Sequence, residues 1–349
     1  MSKVRKYTAA RRALLRSLVM IFGNRALLQT GYPGQIARWL GCPPSVVRPH
    51  PYTLYELNPA WRSDDGGSMH NSLGFRGPEI STLKPEGRLR IVCMGESSTY
   101  CTGLDDVSTY PYRLGEHLKR LKPGVDLEVI NAGVAGYTSI ENILRLLFNI
   151  VPLSPDLIVY YYTHNDVHPR WYEGLSRDYR EYSCSWFEPP SGGLSGWQKK
   201  RHKLATAYVG NIVRRRDKRL RSARHIAGNR PDAFRANLSA LALLAKAAGA
   251  SVVFVNPNYR PPDSGDPAAD AVWEHRRVVE DIGERVGASI IDLNGRLDYS
   301  AVGNRSLNDN YRDAVHFTGK GADAAARIIA EQIVARDLLR SGADKPLLY

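Results

Sequence analysis

Between Leu89 and Val334 the chain alternates two patterns of apolar residues. Short, nearly continuous apolar runs occur at LRIVCM (89–94), LEVINA (127–132), DLIVYYY (156–162), SVVFVNP (251–257) and SIIDL (289–293). Runs of this length, bounded by turn residues, predict strands buried on both faces. Between them, apolar residues recur every three or four positions, as one face of a helix requires. Pro111 opens such a segment with Leu114, Leu118 and Leu121, closed by Pro123-Gly124. Thr138-Ser139-Ile140-Glu141 has the form of a capping box, followed by Ile140, Ile143, Leu144, Leu147 and Phe148. Further helices are predicted over 238–249, around 270–286, and from about Gly319 with Ala322, Ala326, Ile329 and Ile333 as its stripe. Strand and helix in regular alternation imply one parallel sheet of five strands with helices on both faces.

Two regions depart from this rhythm. From Gly41 to Gly87 the chain is rich in Pro, Gly, Asn and Ser and reads as an extended lead-in. Residues 166–230 mix aromatics, Pro/Gly and a basic run, and read as an insertion. The expected organisation is a basic N-terminal helix and lead-in over 1–87, an α/β domain over 88–338 carrying the insertion, and a tail over 339–349.

Charge sharpens that division. The net charge of +13 would suggest a nucleic-acid-binding protein if it were spread over the fold. It is not: residues 1–38 hold eight Lys/Arg and no acid, and residues 199–224 hold eleven against the single Asp217. The remainder is slightly acidic, so the expected partner of the basic segments is an anionic membrane surface or protein, with no specific nucleic acid. The uncharged stretch Ser17–Asn24 is too short to cross a bilayer and lacks a cleavage site, which predicts a cytoplasmic protein, peripheral at most to the inner face of the membrane. Four cysteines form neither a CxxC pair nor a zinc spacing.

The chemistry-bearing residues sit where strands end. In a parallel α/β sheet, sites form beyond the C-terminal strand ends. Ser97 follows the first strand, Gly133–Thr138 the second, His164–Asp166 the third, and Asp313 and His316 precede the last helix. A serine hydroxyl becomes a nucleophile only when a neighbouring base takes its proton. His316 can do so, with Asp313 fixing its tautomer. The backbone N–H groups of Ser97 and Gly136 and the side-chain amide of Asn165 are candidate donors to a developing oxyanion. His164, Asp166 and His168 have an HxDxH spacing, but nothing elsewhere completes a metal site, so none is expected. The aromatics from Trp171 to Phe187 read as packing within the insertion or as a sugar platform beside Asn165.

In order, GESST (95–99), NAGVAGYTS (131–139), YTHND (162–166) and DAVH (313–316) resemble the SGNH, or GDSL, hydrolase family across roughly Arg88–Val334. The resemblance implies a three-layer α/β/α flavodoxin-like fold. It implies Ser97, Asp313 and His316 as catalytic residues and Ser97, Gly136 and Asn165 as the oxyanion hole, with no cofactor. Glu96 stands where the family has aspartate, His164 where a glycine commonly precedes the asparagine, and Phe317 where proline is frequent. The expected reaction is hydrolysis of a carboxylic ester on a small molecule or carbohydrate, for example an O-acetyl group. An acyltransferase using the same acyl-enzyme and a non-catalytic scaffold in an envelope or biosynthetic assembly are the competing readings.

Overall fold

In a computed structural model of the protein, the described residues are 46–50, 52–59, 61–183, 222, 224–259, 265–297 and 309–339. The basic segment 1–38, the run 199–224 apart from Ser222 and Arg224, and the tail beyond residue 339 lie outside them.

The five apolar runs become five parallel strands: β3 (Leu89–Gly95), β4 (Leu127–Asn131), β5 (Leu157–Tyr161), β6 (Ser251–Asn256) and β7 (Ser289–Asp292). They lie side by side in the order β4-β3-β5-β6-β7. A separate antiparallel hairpin precedes them, β1 (Val47–His50) paired with β2 (Leu54–Leu57). Alternate residues of each sheet strand enter opposite cores. Ile91, Cys93, Val159, Tyr161, Val253 and Val255 pack on one face with helices Tyr110–Leu121 and Gly319–Ala335. Val92, Met94, Ile158, Tyr160, Val252 and Phe254 pack on the other with helices Asp232–Ala247 and Pro267–Val286. The result is a three-layer α/β/α fold. The period-two alternation of a strand explains why these runs read as continuously apolar: both faces are covered.

Numbered along the chain, the helices used below are α1 (Ser97–Tyr100), α2 (Tyr110–Leu121), α3 (Ser139–Arg145), α4 (Asp232–Ala247), α5 (Pro267–Val286) and α6 (Gly319–Ala335). Their starts follow local chemistry. Glu141 accepts the Thr138 N–H at 2.8 Å at the head of α3. Asp266 accepts from Ala268 ahead of α5, and Thr318 accepts from Gly321 at the head of α6. Each satisfies an N–H of the cap or first turn that has no partner inside its helix.

The strand order reverses direction between β3 and β5: the chain leaves β3 for β4 on one side and returns to β5 on the other. Loops from adjacent strands diverge at that point, leaving a crevice at the C-terminal edge of the sheet. Ser97 follows β3 and Asn165 follows β5, so both line it.

His275, on α5, is fully buried against Phe234 of α4, with ring centroids 4.2 Å apart and planes 15° from parallel. Neither ring nitrogen has a hydrogen-bond partner among the described residues. Burial first, and the charge of Arg170 second, hold its pKa well below the ordinary 6.5. Above pH 6.5 the ring is neutral in both folded and unfolded chains. As pH falls below 6.5 the unfolded chain takes up the proton first, so stability is lost by up to about 1.4 kcal/mol per pH unit. Urea unfolding at pH 7.5 and 5.5 should show His275→Leu losing less stability than the wild type over this interval. An identical pH dependence in both proteins would contradict the assignment.

Candidate active site

The serine turn is built by a glycine with no substitute. Gly95 ends β3 at φ +151°, and a Cβ there would overlap the carbonyl oxygen of Tyr161 and the hydroxyl of Thr99. Only a residue without a side chain lets the backbone leave the sheet edge this sharply. Ser97 then opens α1, where its N–H has no intrahelical partner. The next hydroxyl, Ser98 Oγ, is buried and donates to the carbonyl of Val315 at 2.9 Å, fastening the serine turn to the histidine loop.

The histidine loop is a tight structure of its own. Tyr311 and Phe317 form an antiparallel bridge, and Arg312 N–H bonds the His316 carbonyl at 2.8 Å. Asp313 Oδ1 accepts the N–H groups of Val315 (3.0 Å) and His316 (2.9 Å). Its carboxylate also meets His316 Nδ1 at 2.8 Å through Oδ2 and 3.0 Å through Oδ1. Partial burial raises the Asp313 carboxyl, but the two N–H groups and the histidine outweigh it and hold the pKa below the usual carboxylate range. On the far side of the ring, His316 Nε2 lies 2.8 Å from Ser97 Oγ. Phe317, immediately after the histidine, is buried and stacks on Tyr161 at 5.8 Å. That contact fastens the loop to the end of β5.

The candidate oxyanion donors come from two other loops. Gly136 has φ +85°, a left-handed conformation that glycine adopts without strain. The N–H groups of Ser97 and Gly136 donate to nothing among the described residues. Asn165 is buried and spends one amide hydrogen on the carbonyl of Tyr137 at 3.0 Å, leaving the second. Glu96 is buried below them and accepts the Thr163 N–H at 2.6 Å. Burial pushes its carboxyl up to about 8, against the opposing hydrogen bonds from Thr163. A carboxyl so placed is mostly protonated at neutral pH, and adds little negative charge beneath a site that must stabilise an anion.

Asp166 does not face outward as a metal ligand would. Its carboxylate is buried against Ser139, and among the described residues no group of three His, Cys, Asp or Glu is placed to hold a metal. Cys101, near the serine in sequence, is buried, and burial first pushes its thiol up to about 11, so it stays protonated and inert at neutral pH.

Sequence reasoning missed the residues that brace these loops from the lead-in. Tyr55 of β2 donates its hydroxyl to the carbonyl of Ala135 at 2.7 Å, and the Tyr137 hydroxyl returns a bond to the carbonyl of Tyr55 at 2.6 Å. Arg76 donates its N–H to Asn131 at the end of β4. Its guanidinium reaches the carbonyls of Tyr100, Cys101 and Leu104 at and just past the end of α1 and pairs with Asp106 at 2.7 Å. The stretch NSLGFRGPE thus holds the back of the serine turn. A signal was present in the lone arginine within a glycine-rich segment, but no periodicity marks its target.

A family model for GDSL-like lipases and acylhydrolases matches residues 93–324, two thirds of the chain, including the serine turn, the Gly136 and Asn165 loops and the histidine loop but not the bracing lead-in. The chain belongs to the GDSL-like lipase/acylhydrolase family. It is accordingly an SGNH-type acyl hydrolase, an enzyme acting on esters. Among solved structures, this acylhydrolase is similar to an acetyl xylan esterase from Geobacillus stearothermophilus at 18% identity and a TM-score of 0.46, covering 72% of this chain and 97% of that one. It is also similar to an alpha/beta hydrolase enzyme from the metagenome of Lake Arreo, Spain, at 17% identity and a TM-score of 0.45, covering 72% and 97%. No curated protein matches the chain. No helix among the described residues of the acylhydrolase is long and apolar enough to cross a membrane.

Proposed function

We propose that this acylhydrolase cleaves carboxylic esters through an acyl-enzyme formed on Ser97. The observation that carries the reading is the unbroken line from Asp313 through His316 to Ser97, with 2.8 Å contacts on both sides of the imidazole. With Nδ1–H committed to Asp313, Nε2 is left as the acceptor for the Ser97 proton. Ser97 Oγ attacks the ester carbonyl carbon while its proton passes to His316 Nε2. The oxyanion of the tetrahedral intermediate is met by the N–H groups of Ser97 and Gly136 and by the free amide hydrogen of Asn165. The intermediate collapses by breaking the bond to the alcohol, which takes the proton from His316. A water molecule, deprotonated by the same nitrogen, then releases the acid and restores Ser97.

The partner molecule proposed is an ester-bearing carbohydrate or small metabolite, with an O-acetyl group as one example of the acyl group. Aryl esters of increasing chain length and acetylated sugars, assayed in parallel with a fluorophosphonate probe, test the reading. The probe is expected to label Ser97, identified by peptide mass spectrometry, and to abolish hydrolysis in proportion. A fully labelled protein that still hydrolyses the panel, or a modification found elsewhere, would overturn it.

A further inference from the structure

Asp166, which follows Asn165 directly, is bound into both oxyanion loops at once. Its carboxylate accepts the Ser139 N–H at 3.1 Å through each oxygen and the Ser139 hydroxyl at 2.5 Å through Oδ1. Ser139 lies three residues after Gly136 and opens α3. One carboxylate therefore ties the loop after β5 to the loop after β4, and Asn165 adds its own bond to Tyr137 between them.

The insertion reaches the same point. The Tyr179 side chain is buried within hydrogen-bonding reach of Asp166, Ser139 and Asn237. Asn237, from α4, donates to Ser139 Oγ and to the carbonyl of Arg177, both at 3.2 Å. Tyr179 sits at φ +56°, a left-handed conformation that strains a residue with a bulky side chain. Strain of this kind persists where surrounding contacts over-determine a position, and here those contacts converge on the oxyanion loops. Burial first raises the Asp166 carboxyl to about 6, with the Ser139 and Tyr179 bonds opposing, so at neutral pH it is mostly an acceptor-only carboxylate.

We propose that Asp166 is a positioning residue that holds Asn165 and the Gly136 loop in register with each other, and that the insertion fastens this register through Tyr179. The inference rests on the oxyanion roles proposed above. An asparagine at 166 would offer one acceptor oxygen where the carboxylate offers two, and would turn an NH₂ toward the Ser139 donors.

Asp166→Asn is expected to lower kcat at least about tenfold with KM within twofold, because the register matters where negative charge develops. The discriminating readout is a double-mutant cycle. In an Asn165→Ala background, Asp166→Asn should lower kcat by no more than about threefold further, since one of the two donors whose mutual register it sets is already gone. Full additivity, or unchanged kcat in folded Asp166→Asn, would overturn the proposal. Ser139→Ala, which removes only the hydroxyl, should lower kcat severalfold. It decides the question alone if Asp166→Asn fails to fold, and unchanged kcat there counts against the proposal. Failure of the Ser97 reading would show separately, as a missing fluorophosphonate adduct.

Discussion

Replacing Ser97 by alanine is expected to reduce kcat for an aryl acetate by about 10⁴–10⁶-fold while leaving the melting temperature within a few degrees of wild type. The size follows from what a single oxygen does in the proposed cycle. Without Oγ there is no acyl-enzyme, and only the oxyanion donors and substrate binding remain, which sustain about 10³-fold over water in enzymes of this logic. The structure explains why the fold should not notice. Ser97 Oγ is half-buried and bonds His316, whereas the anchoring of α1 to the histidine loop is the work of Ser98, through its bond to Val315. Nor can Ser98 stand in as nucleophile, since it is fully buried with its hydroxyl committed. Steady-state kinetics with thermal unfolding monitored by circular dichroism checks both halves. Activity within tenfold of wild type in folded Ser97→Ala would remove the assignment.

The parts of this site that are legible in the sequence are those tied to strand ends. Gly95-Glu96-Ser97, Gly136, Asn165 and the pair Asp313/His316 each follow or precede an element whose boundary is marked by an abrupt change in apolar pattern. In a parallel sheet such boundaries share one edge. The strands themselves were legible because burial on both faces leaves no polar position to blur them, and LRIVCM differs from the observed β3 only by the inclusion of Gly95. The supports were not legible for the converse reason. Tyr55 lies in a four-residue hairpin strand and His70 and Arg76 among turns and isolated bridges, all too short for a repeat to indicate which way a side chain faces. Their targets are distant in sequence: Ala135 for Tyr55, the Tyr100 hydroxyl for His70 at 3.0 Å, and the carbonyls at and just past the end of α1 for Arg76. The same holds for Asp166, whose spacing with His164 and His168 resembles a metal motif. Only the fold shows that the carboxylate turns inward to Ser139.

His316→Ala should cost about as much as Ser97→Ala, roughly 10⁵-fold or more in kcat, and combining the two should cost little further, because neither residue works without the other. Asp313→Asn tests a finer point. Asparagine can keep its carbonyl oxygen on the N–H groups of Val315 and His316, so the loop should survive. Its NH₂ would then face Nδ1, which favours the tautomer with the proton on Nε2, pointing at Ser97. A histidine in that form cannot take the serine proton. The expected loss is nevertheless below that of the other two, about 10²–10⁴-fold. The Asp313 side chain is 52% exposed and that of His316 23%, so water can rotate in and partly replace the carboxylate's stabilisation of the imidazolium. A loss in Asp313→Asn as large as that in His316→Ala would mean that solvent makes no such contribution. A loss below tenfold would mean that Asp313 does not fix the tautomer, and that His316 is oriented by the Tyr311–Phe317 loop alone.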